Sequence, residues 1–409
     1  MSVKLGLKEN WKQFTLLVIV NAFVGGMVGL ERTILPQIAK IEFDIAAKTA
    51  ILSFIVVFGI VKAIANYFAG TLSNRIGRKN LLVLGWLFAV PIPFILMFAE
   101  NWSWILWANV LLGINQGLAW SSTVVMKIDL VGEKQRGLAM GLNEFAGYLA
   151  VAFVAFLTGW VAAEYGIRPY PFYIGIVLVF LGLFASWALV KDTIHHVSVE
   201  TAQSQVPRLN HVFRDTTLKN KNLSAVTQAG LVNNLNDGMV WGIFPILLAS
   251  KGFTLEQIGI IAATYPAVWG ISQIITGKFA DLYSKKLLLF YGMLLQGIVL
   301  ITIVFAESMF DFLLMSTVLG IGTAMVYPTF LATIAENTHP TDRPNSIGVF
   351  RLWRDLGYAI GAILTGSIAD VFSTNTAIIA IGGLTVFSAF VIFFRMTDKK
   401  KAAIRPIVA

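Results

Sequence analysis

Residues 80–99 read NLLVLGWLFAVPIPFILMFA, an uninterrupted run in which no side chain carries a charge. A helix needs roughly 20 apolar residues to cross the hydrocarbon core of a bilayer, because each residue advances about 1.5 Å. Only helices and closed barrels satisfy their backbone hydrogen bonds inside lipid, and a barrel strand alternates apolar and polar residues. This run is continuous rather than alternating, so it predicts a transmembrane helix.

Similar stretches fill the rest of the chain. We predict an all-α integral membrane protein with twelve transmembrane helices, called spans 1–12, over residues 14–39, 47–70, 80–99, 103–127, 138–163, 170–190, 222–249, 254–279, 287–306, 310–335, 345–370 and 375–395. The predicted domains are an N-terminal six-helix bundle (1–190), a cytoplasmic linker (191–221) and a C-terminal six-helix bundle with a cytoplasmic tail (222–409). Two six-helix halves are the layout of a secondary transporter.

The positive charge of the chain lies in short clusters between the spans. The net charge is +9 although only 13% of the residues are charged, about half the share of a soluble domain. All but eight of the 31 Lys and Arg residues fall on one predicted side of the membrane; the exceptions are Lys40, Lys48, Arg168 and Lys251 in outer loops and Arg32, Lys62, Arg351 and Arg354 within spans. The basic side faces the cytoplasm, which places both termini there. Such scattered clusters exclude nucleic-acid binding.

Several classes of chemistry are excluded by what the sequence lacks. The chain has no cysteine, so disulfides and thiolate metal sites are ruled out. It has no Gly-x-x-x-x-Gly-Lys-Ser/Thr loop for ATP phosphates and no His-Glu-x-x-His motif. We therefore expect neither an enzyme nor a cofactor or metal site. We expect a monomer in a bacterial-type inner membrane, with protons, a small-molecule substrate and the lipid bilayer as its partners.

The two halves resemble each other weakly at a shift of about 210 residues. Three pairs of short segments match in register: Asn21 with Gly26-Met27-Val28 and Asn233 with Gly238-Met239-Val240, Gly70 to Asn74 and Gly277 to Asp281, and Gly147-Tyr148 and Gly357-Tyr358. Matching elements at matching places indicate duplication. In duplicated transporters the substrate path lies at the interface between the repeats.

The loop after span 2 reads GTLSNRIGRK over residues 70–79. This segment resembles the signature loop of the major facilitator superfamily, which has a glycine, an acidic residue and then Arg-x-Gly-Arg-Lys. We call residues 70–79 the signature loop; its key positions, with Asp281 in the second copy, are Gly70, Asn74, Arg75, Gly77 and Arg78. The resemblance implies the twelve-helix fold of that superfamily, alternating access, and a conformational role for this loop.

The sequence resembles the drug–proton antiporter branch of the superfamily in outline only. The acidic residue of the signature loop is Asn74 here, which weakens the usual charge pair in the first half. Span 4 has Gln116-Gly117 but Gly113 where that branch has an arginine, and span 5 lacks its Gly-Pro pair. These departures leave the route of proton coupling open.

Eight ionisable side chains lie well inside the predicted spans, away from their ends: Glu31, Arg32, Lys62, Glu144, Asp237, Arg351, Arg354 and Asp355. Each costs roughly 2.5–3.5 kcal/mol on insertion scales and is a functional candidate by default. Four are basic and four acidic, so we expect them to pair in a central cavity. The spacing predicts an Arg351–Asp355 pair on one helix face, and the repeat predicts a Glu144–Arg354 bridge between the halves.

The candidate residues divide into two roles. We predict that Glu31, Glu144 and Asp355 carry protons. For substrate binding we predict Arg32, Asn115, Gln116, Trp120, Asn233, Asn236, Asp237, Arg351 and Arg354. The alternative for each acid or base is a static pair that fixes helix packing, and for the polar residues of spans 4 and 7 it is hydrogen bonding between helices.

The most specific functional reading is a secondary active transporter that exports a small organic molecule in exchange for protons. Two alternatives stay open from the sequence. One is proton-coupled uptake of a nutrient or organic anion on the same fold. The other is a transporter-like receptor that moves no solute, for which the charges within the spans would be dispensable.

Overall fold

The computed structural model describes residues 4–32, 34–45, 48–132, 135–253 and 255–398, and no strand occurs among them. Helices α1 to α17 cover, in order, Trp11–Arg32, Leu35–Ile41, Lys48–Ile76, Arg78–Ala89, Pro91–Phe98, Trp102–Asn115, Ser121–Val131, Arg136–Tyr165, Tyr173–Phe184, Ile194–Gln203, Val212–Arg214, Lys221–Ser250, Leu255–Leu282, Lys285–Thr302, Met309–Asn337, Arg343–Val371 and Thr374–Arg395. The prediction of an all-α protein is confirmed.

Among the described residues, nine helical segments are long and apolar enough to cross a membrane. They correspond to all the predicted spans except 4, 7 and 11. The three remaining spans lie on helical segments of similar length, at 102–131, 221–250 and 343–371, which carry many buried polar and charged side chains. The nine apolar segments and these three more polar helical segments together correspond to the twelve predicted spans. A helix that lines a polar interior needs apolar surface only where it meets lipid.

Large apolar side chains cover the outside of the bundle. Phe156, Phe305 and Phe394 are all more than 70% exposed. A soluble protein rarely exposes apolar patches this extensive, whereas a membrane protein presents them to lipid. The exposed surface and the helix lengths together describe a multi-pass membrane protein.

Equivalent helices of the two halves pack in equivalent ways. In the N-terminal half α1 packs on α8 and α3 on α6, and in the C-terminal half α12 packs on α16 and α13 on α15. The halves meet through two further pairs, α3 with α16 and α8 with α13. Each of these pairs joins the second span of one half to the fifth span of the other, so the two pairs are equivalent under the repeat.

Glycines let the halves approach closely at one end of the interface. A Cβ on Gly70 would lie 2.5 Å from the Pro344 carbonyl oxygen, and a Cβ on Gly277 would lie 2.6 Å from the Gly137 carbonyl oxygen. Neither position has room for a larger residue. The signature loop and its second copy thus sit directly on the first turns of α16 and α8.

Two predicted segments have different bounds in the structure. Span 1 was predicted over 14–39, but α1 ends at Arg32 and α2 has Pro36 in its first turn. Proline is favoured at a helix start because its missing N–H is not needed there. The predicted linker contains a short helix, α10, which includes His195 and His196 and packs on α7.

Candidate functional site

Three charged residues of α16 lie buried at the interface between the halves. Arg354 donates to one oxygen of Asp355 from Nη2 at 2.6 Å and from Nε at 2.9 Å. The predicted Arg351–Asp355 pair is therefore wrong: the partner of Asp355 is its immediate neighbour. The long and flexible arginine side chain can reach the adjacent residue, so sequence spacing alone does not determine which residues pair.

Asp355 connects helices of both halves. Its Oδ2 accepts a hydrogen bond of 2.5 Å from the Asn66 amide on α3, and its Oδ1 accepts one of 3.4 Å from Asn234 on α12. Asn66 belongs to the N-terminal half and Asn234 to the C-terminal half. A change in the charge of Asp355 would therefore change a contact between the halves.

Arg351 contacts the N-terminal half through a hydroxyl group. Its Nη1 donates to Ser121 Oγ at 2.9 Å, and Ser121 donates in turn to Asn66 Oδ1 at 2.5 Å. The Nε and Nη2 atoms of Arg351 are buried and have no hydrogen-bond partner among the described residues. Arg351 is thus a buried cation whose guanidinium is only partly satisfied.

Glu144 lies on α8, fully buried, and faces α7. Its Oε1 accepts hydrogen bonds from Trp120 Nε1 at 3.2 Å and from Asn143 Nδ2 at 2.7 Å. Lys127 donates to the Asn143 side chain. The predicted Glu144–Arg354 bridge is not formed in this structure: Arg354 pairs with Asp355, and Glu144 is held within its own half.

Aromatic side chains join the halves beside these charges. The rings of Tyr148 and Trp269 have centroids 4.1 Å apart, and the Tyr148 and Tyr327 hydroxyls are 3.1 Å apart. The guanidinium of Arg354 lies 5.2 Å from the centre of the Tyr327 ring, within cation–π range. On the other side Trp120 meets Tyr148 edge to face. We call Trp120, Tyr148, Trp269 and Tyr327 the aromatic bridge.

Asp237 on α12 is surrounded by hydroxyl donors. Tyr265 donates to its Oδ1 at 2.5 Å and Tyr358 to its Oδ2 at 3.5 Å. No Lys or Arg nitrogen of the described residues lies within 4 Å of this carboxylate. Asp237 thus differs from Asp355, whose charge is neutralised by an arginine.

The polar neighbours of Asp237 on α12 have separate environments. Asn236 donates to Gln296 at 3.2 Å and accepts from Thr385 at 2.7 Å, which joins α12 to α14 and α17. Asn233 is fully buried, and its amide has no hydrogen-bond partner among the described residues. Asn236 therefore fastens helices, whereas Asn233 has polar atoms available to a ligand.

The polar residues predicted on span 4 are split by a π-helical turn over Gln116–Trp120. Asn115 donates to the Gly85 carbonyl at 2.9 Å and Gln116 to the Val24 carbonyl at 2.7 Å, both within the N-terminal half. These two side chains fasten neighbouring helices. Trp120, at the end of the turn, instead contacts Glu144 and the aromatic bridge.

Glu31 lies away from the central cluster. It is 2% exposed and lines a space of about 230 Å³ within the N-terminal half, together with Phe54, Phe58 and Asn109. The side chain of its neighbour Arg32, predicted to bind substrate, lies outside the described part of the chain. The structure therefore places Glu31 in an apolar pocket with one amide nearby.

The signature loop turns sharply between α3 and α4. Gly77 has a φ of 88°, a left-handed conformation that suits glycine. Arg78, directly after it, donates to Asp129 at 3.0 Å, and both side chains are buried. Asn74 is exposed and donates to the Thr341 carbonyl of the other half at 3.1 Å, while Arg75 is exposed in the last turn of α3.

The second copy of the loop makes a different contact. Asp281 accepts hydrogen bonds from the backbone N–H groups of Gly137 at 2.7 Å and Leu138 at 2.9 Å. These groups belong to the first turn of α8, where helix N–H groups lack intrahelical partners and a negative charge is favourable. Asp281 therefore anchors the C-terminal half to a helix start of the N-terminal half.

A buried cluster of charged residues lies at the same end of the interface as the signature loop and its second copy. Glu200 of the linker helix α10 accepts from Arg343 at 2.7 and 2.9 Å and pairs with Arg136. Arg343 also lies 3.8 Å from Asp129. Burial opposes ionisation of Glu200, but the hydrogen bonds and charge of Arg343, with the charge of Arg136, outweigh it and lower the pKa of Glu200. Glu200 thus joins the first turns of α8 and α16.

We call the end of the interface formed by the signature loop, Asp281, Glu200 and the first turns of α8 and α16 the signature-loop face. In this structure the two halves are in contact there. The described residues contain no group of three His, Asp or Glu side chains that could hold a metal ion. The contacts described above are ion pairs, hydrogen bonds and aromatic contacts.

Several residues of the site were not singled out from the sequence. Helical spacing would have found them, since each lies on the same face as a predicted residue: Asn66 four after Lys62, Lys127 seven after Trp120, Tyr148 four after Glu144, and Tyr358 four after Arg354. Ser121 carries no such signal. Tyr265 and Tyr327 lie on α13 and α15, and their hydroxyls contact Asp237 and Tyr148.

Comparisons with known proteins agree with this architecture. The family model of the Major Facilitator Superfamily matches residues 17–231 and 226–408. The chain is 24% identical to the proton-coupled antiporter flippase LtaA of Staphylococcus haemolyticus (strain JCSC1435) over 380 residues, covering 89% of this chain and 88% of that one. It is also 24% identical to the multidrug resistance protein MdtG of Proteus mirabilis (strain HI4320) over 400 residues, covering 95% of each.

A solved structure supports the fold independently. The human organic anion transporter MFSD10 (TETRAN) superposes with a TM-score of 0.73 at 13% sequence identity, covering 93% of this chain and 99% of that one. At this identity the likeness concerns the fold alone. Together with family matches that span nearly the whole sequence, it leads to one conclusion: this protein is a multi-pass secondary active transporter that belongs to the major facilitator superfamily.

Proposed function

We propose that the protein exports a small organic molecule from the cytoplasm and that protons entering the cell drive the export. The observation that carries this proposal is the buried cluster of acids and bases between the halves, in which Asp355 accepts hydrogen bonds from both. Charges within a membrane are costly and are retained for function. A carboxylate that holds two halves together changes its contacts when it gains a proton.

The three proposed proton carriers occupy different environments. Asp355 is paired with Arg354, Glu144 is hydrogen-bonded within its half, and Glu31 lies in an apolar pocket. Protonation of Asp355 would remove the charge that holds Arg354. The freed guanidinium would then be available to a substrate or to another carboxylate.

Alternating access would use the signature-loop face as one gate. We propose that this face is cytoplasmic, because basic residues are concentrated on that side of the predicted topology. The closed contacts of α3 with α16 and of α8 with α13 then describe a state with the cytoplasmic gate shut. Opening would break the contacts of Gly70, Asp281 and Glu200.

The names of two relatives favour proton-coupled export. One is described as a proton-coupled antiporter flippase and the other as a multidrug resistance protein. Both match this chain over nearly its full length. We extend to this protein the coupling to protons and the outward direction, together with the inner-membrane location, cytoplasmic termini and monomeric state expected from the sequence.

Everted membrane vesicles from an overexpressing strain test the proposal. After acidification of the lumen, a transported compound drawn from a panel of dyes and drugs should release protons, measured as dequenching of acridine orange. Asp355→Asn and Glu144→Gln should abolish the release without loss of folded protein. The exposed Glu164 provides the control, since Glu164→Gln removes one charge outside the cluster.

Two results would contradict proton-coupled export. One is accumulation of the compound in right-side-out vesicles under an inward proton gradient, which would indicate uptake. The other is full proton release by both variants, which would show that the buried acids do not couple transport. A complete lack of flux across the panel, with the charges dispensable for folding, would favour the receptor alternative.

A further inference from the structure

Arg351 is a cation of the described interface cluster whose side chain contacts neither a carboxylate nor an aromatic ring. Arg354 pairs with Asp355, Lys62 lies 5.6 Å from the Trp120 ring, and Lys127 is linked to Glu144 only through Asn143. The cluster thus contains four cations against the three carboxylates Glu144, Asp237 and Asp355, so one positive charge is in excess. We assign it to Arg351, because two of its donors have no hydrogen-bond partner among the described residues.

The unsatisfied atoms of Arg351 define the shape of a partner. With Nη1 occupied by Ser121, the Nε and Nη2 donors remain, and these two point in parallel from one edge of the guanidinium. That edge matches the two oxygens of a carboxylate or phosphate group, which bind arginine in a bidentate way. An oxyanion group therefore fits both the charge and the geometry.

Asp355, the acid one helical turn from Arg351, is already engaged. Both of its oxygens accept hydrogen bonds, Oδ1 from Arg354 and Asn234 and Oδ2 from Asn66. Ser121 donates its hydroxyl hydrogen to Asn66. Arg351 would have to break this network to pair with Asp355, whereas an incoming oxyanion would leave the network intact.

A small polar space lies between the halves next to Ser121, the hydrogen-bond partner of Arg351. It is lined by Asn66, Ser73 and Ser121 from one half and by Ile347 and Gly348 from the other. Ile347 and Gly348 precede Arg351 by one helical turn, and side chains on a helix lean toward its N-terminus. The Ser73 hydroxyl is also buried without a hydrogen-bond partner among the described residues.

We propose that Arg351 binds an oxyanion group of the transported molecule, so that the substrate is an organic anion. This inference rests on the proposed transport function and narrows its substrate class. In the state described here this space is too small for a substrate-sized molecule. The site would therefore be filled when the halves rearrange during transport.

Thermal unfolding of the purified full-length protein in detergent tests this site with defined probes. Benzoate and phenyl phosphate should raise the Tm of the wild type, inorganic phosphate should raise it less, and benzylammonium should not raise it. Arg351→Gln should weaken the apparent affinity for benzoate by roughly tenfold to a hundredfold, the range of a charge-assisted hydrogen bond. Arg214→Gln, at an exposed arginine of the linker, is the matched control.

A second variant, Arg351→Lys, guards against a folding defect in Arg351→Gln. Lysine keeps the positive charge but lacks the bidentate edge of the guanidinium. This variant should therefore fold and bind benzoate several-fold more weakly than the wild type. Equal benzoate binding by the wild type and Arg351→Gln would overturn the proposal. So would stabilisation by benzylammonium alone, by inorganic phosphate as strongly as by benzoate, or by none of the anions. These assays measure binding and need no proton gradient, so they test the anion site separately from transport. If the protein exported a cation, the anion site would be refuted and the proposed transport function would stand.

Discussion

The signature loop and its second copy perform the same mechanical task with different chemistry. Each places a glycine, Gly70 or Gly277, against a helix of the opposite half with no room for a side chain. At the equivalent polar position, Asp281 accepts two N–H groups at the start of α8, whereas Asn74 only donates to a carbonyl before α16. The second copy therefore has a charge–dipole anchor that the first lacks.

The linker compensates for this difference. Arg343, in the first turn of α16, is held by Glu200 of α10 rather than by an acidic residue at position 74. Because Glu200 also pairs with Arg136 in the first turn of α8, it joins both halves. In this chain, an acid from a segment outside the repeat therefore pairs with Arg343, while the first copy of the motif has only Asn74 at its polar position.

A pair of spin labels reports on the closure of the signature-loop face. The sequence has no cysteine, so Asn80→Cys and Tyr283→Cys, both at exposed positions, give one label in each half. The closed face corresponds to the shorter of the two distances between the labels, and opening lengthens this distance. The predictions below refer to the distance distribution measured with this pair in detergent or nanodiscs.

The largest effect is expected from Glu200→Gln. This change leaves Arg136 and Arg343 buried without the carboxylate between them, and breaking a buried ion pair on one side costs about 3–5 kcal/mol. We expect a dominant long-distance population. Glu164→Gln, the charge-matched control, should leave the distribution unchanged, and an unaltered distribution in Glu200→Gln would show that the linker does not hold the face closed.

Gly70→Ala and Gly277→Ala should open the face by similar amounts. In each case the added Cβ would fall within 2.6 Å of a backbone oxygen, and such overpacking costs about 1–3 kcal/mol. Gly366→Ala is the control, since a Cβ at that helical glycine meets nothing within 4 Å. A marked difference between the two loop variants would mean that the repeated glycines are not mechanically equivalent.

Substitutions at the polar positions of the two loop copies, Asp281 and Asn74, should open the signature-loop face by unequal amounts. Asp281→Asn removes a charge from the start of α8 and should destabilise the closed face by about 1 kcal/mol. Asn74→Ala removes one exposed hydrogen bond and should change it by less, about 0.5 kcal/mol. The ratio of short to long distances measures both effects, and an equal response would contradict the asymmetry between the copies.

Acidic pH should weaken the contribution of Glu200 to the stability of the closed signature-loop face. Its pKa in the folded protein is below the ordinary value of 4.5, so its stabilising effect is fully present above about pH 4.5 and is lost as the pH falls through the folded pKa. We therefore expect the short-distance population to fall only below that value. The same titration of Glu200→Gln should lack this component, and an identical acid transition would assign it to another group.

The fold and much of the site followed from the sequence because their signals are local. Continuous apolar runs indicated the helices, and charges within them marked Glu144, Asp237 and the three charged residues of α16. Partner choice was not predictable in the same way. Arg354 rather than Arg351 pairs with Asp355, while Arg351 donates to Ser121 and Asp355 accepts from Asn66, and both of these partners come from other helices.

Other features depend on contacts that sequence position does not reveal. Glu200 is a single acid in a polar linker, and its burial between two arginines follows only from the docking of α10 on α7. Asn115 and Gln116 resemble ligand-binding residues in composition, but their neighbours are backbone carbonyls of adjacent helices. Their proposed roles in substrate binding therefore rest on rearrangement during transport.

The most direct test of coupling between the buried charges and the gate is the distance distribution of the labelled pair in Asp355→Asn at pH 7. Asparagine imitates the loss of charge on protonation, frees Arg354 and weakens the contact with Asn66 of the other half. We predict a shift from the short to the long distance relative to the wild type. Identical distributions in the two proteins would contradict the claim that protonation at the interface controls the opening of the signature-loop face.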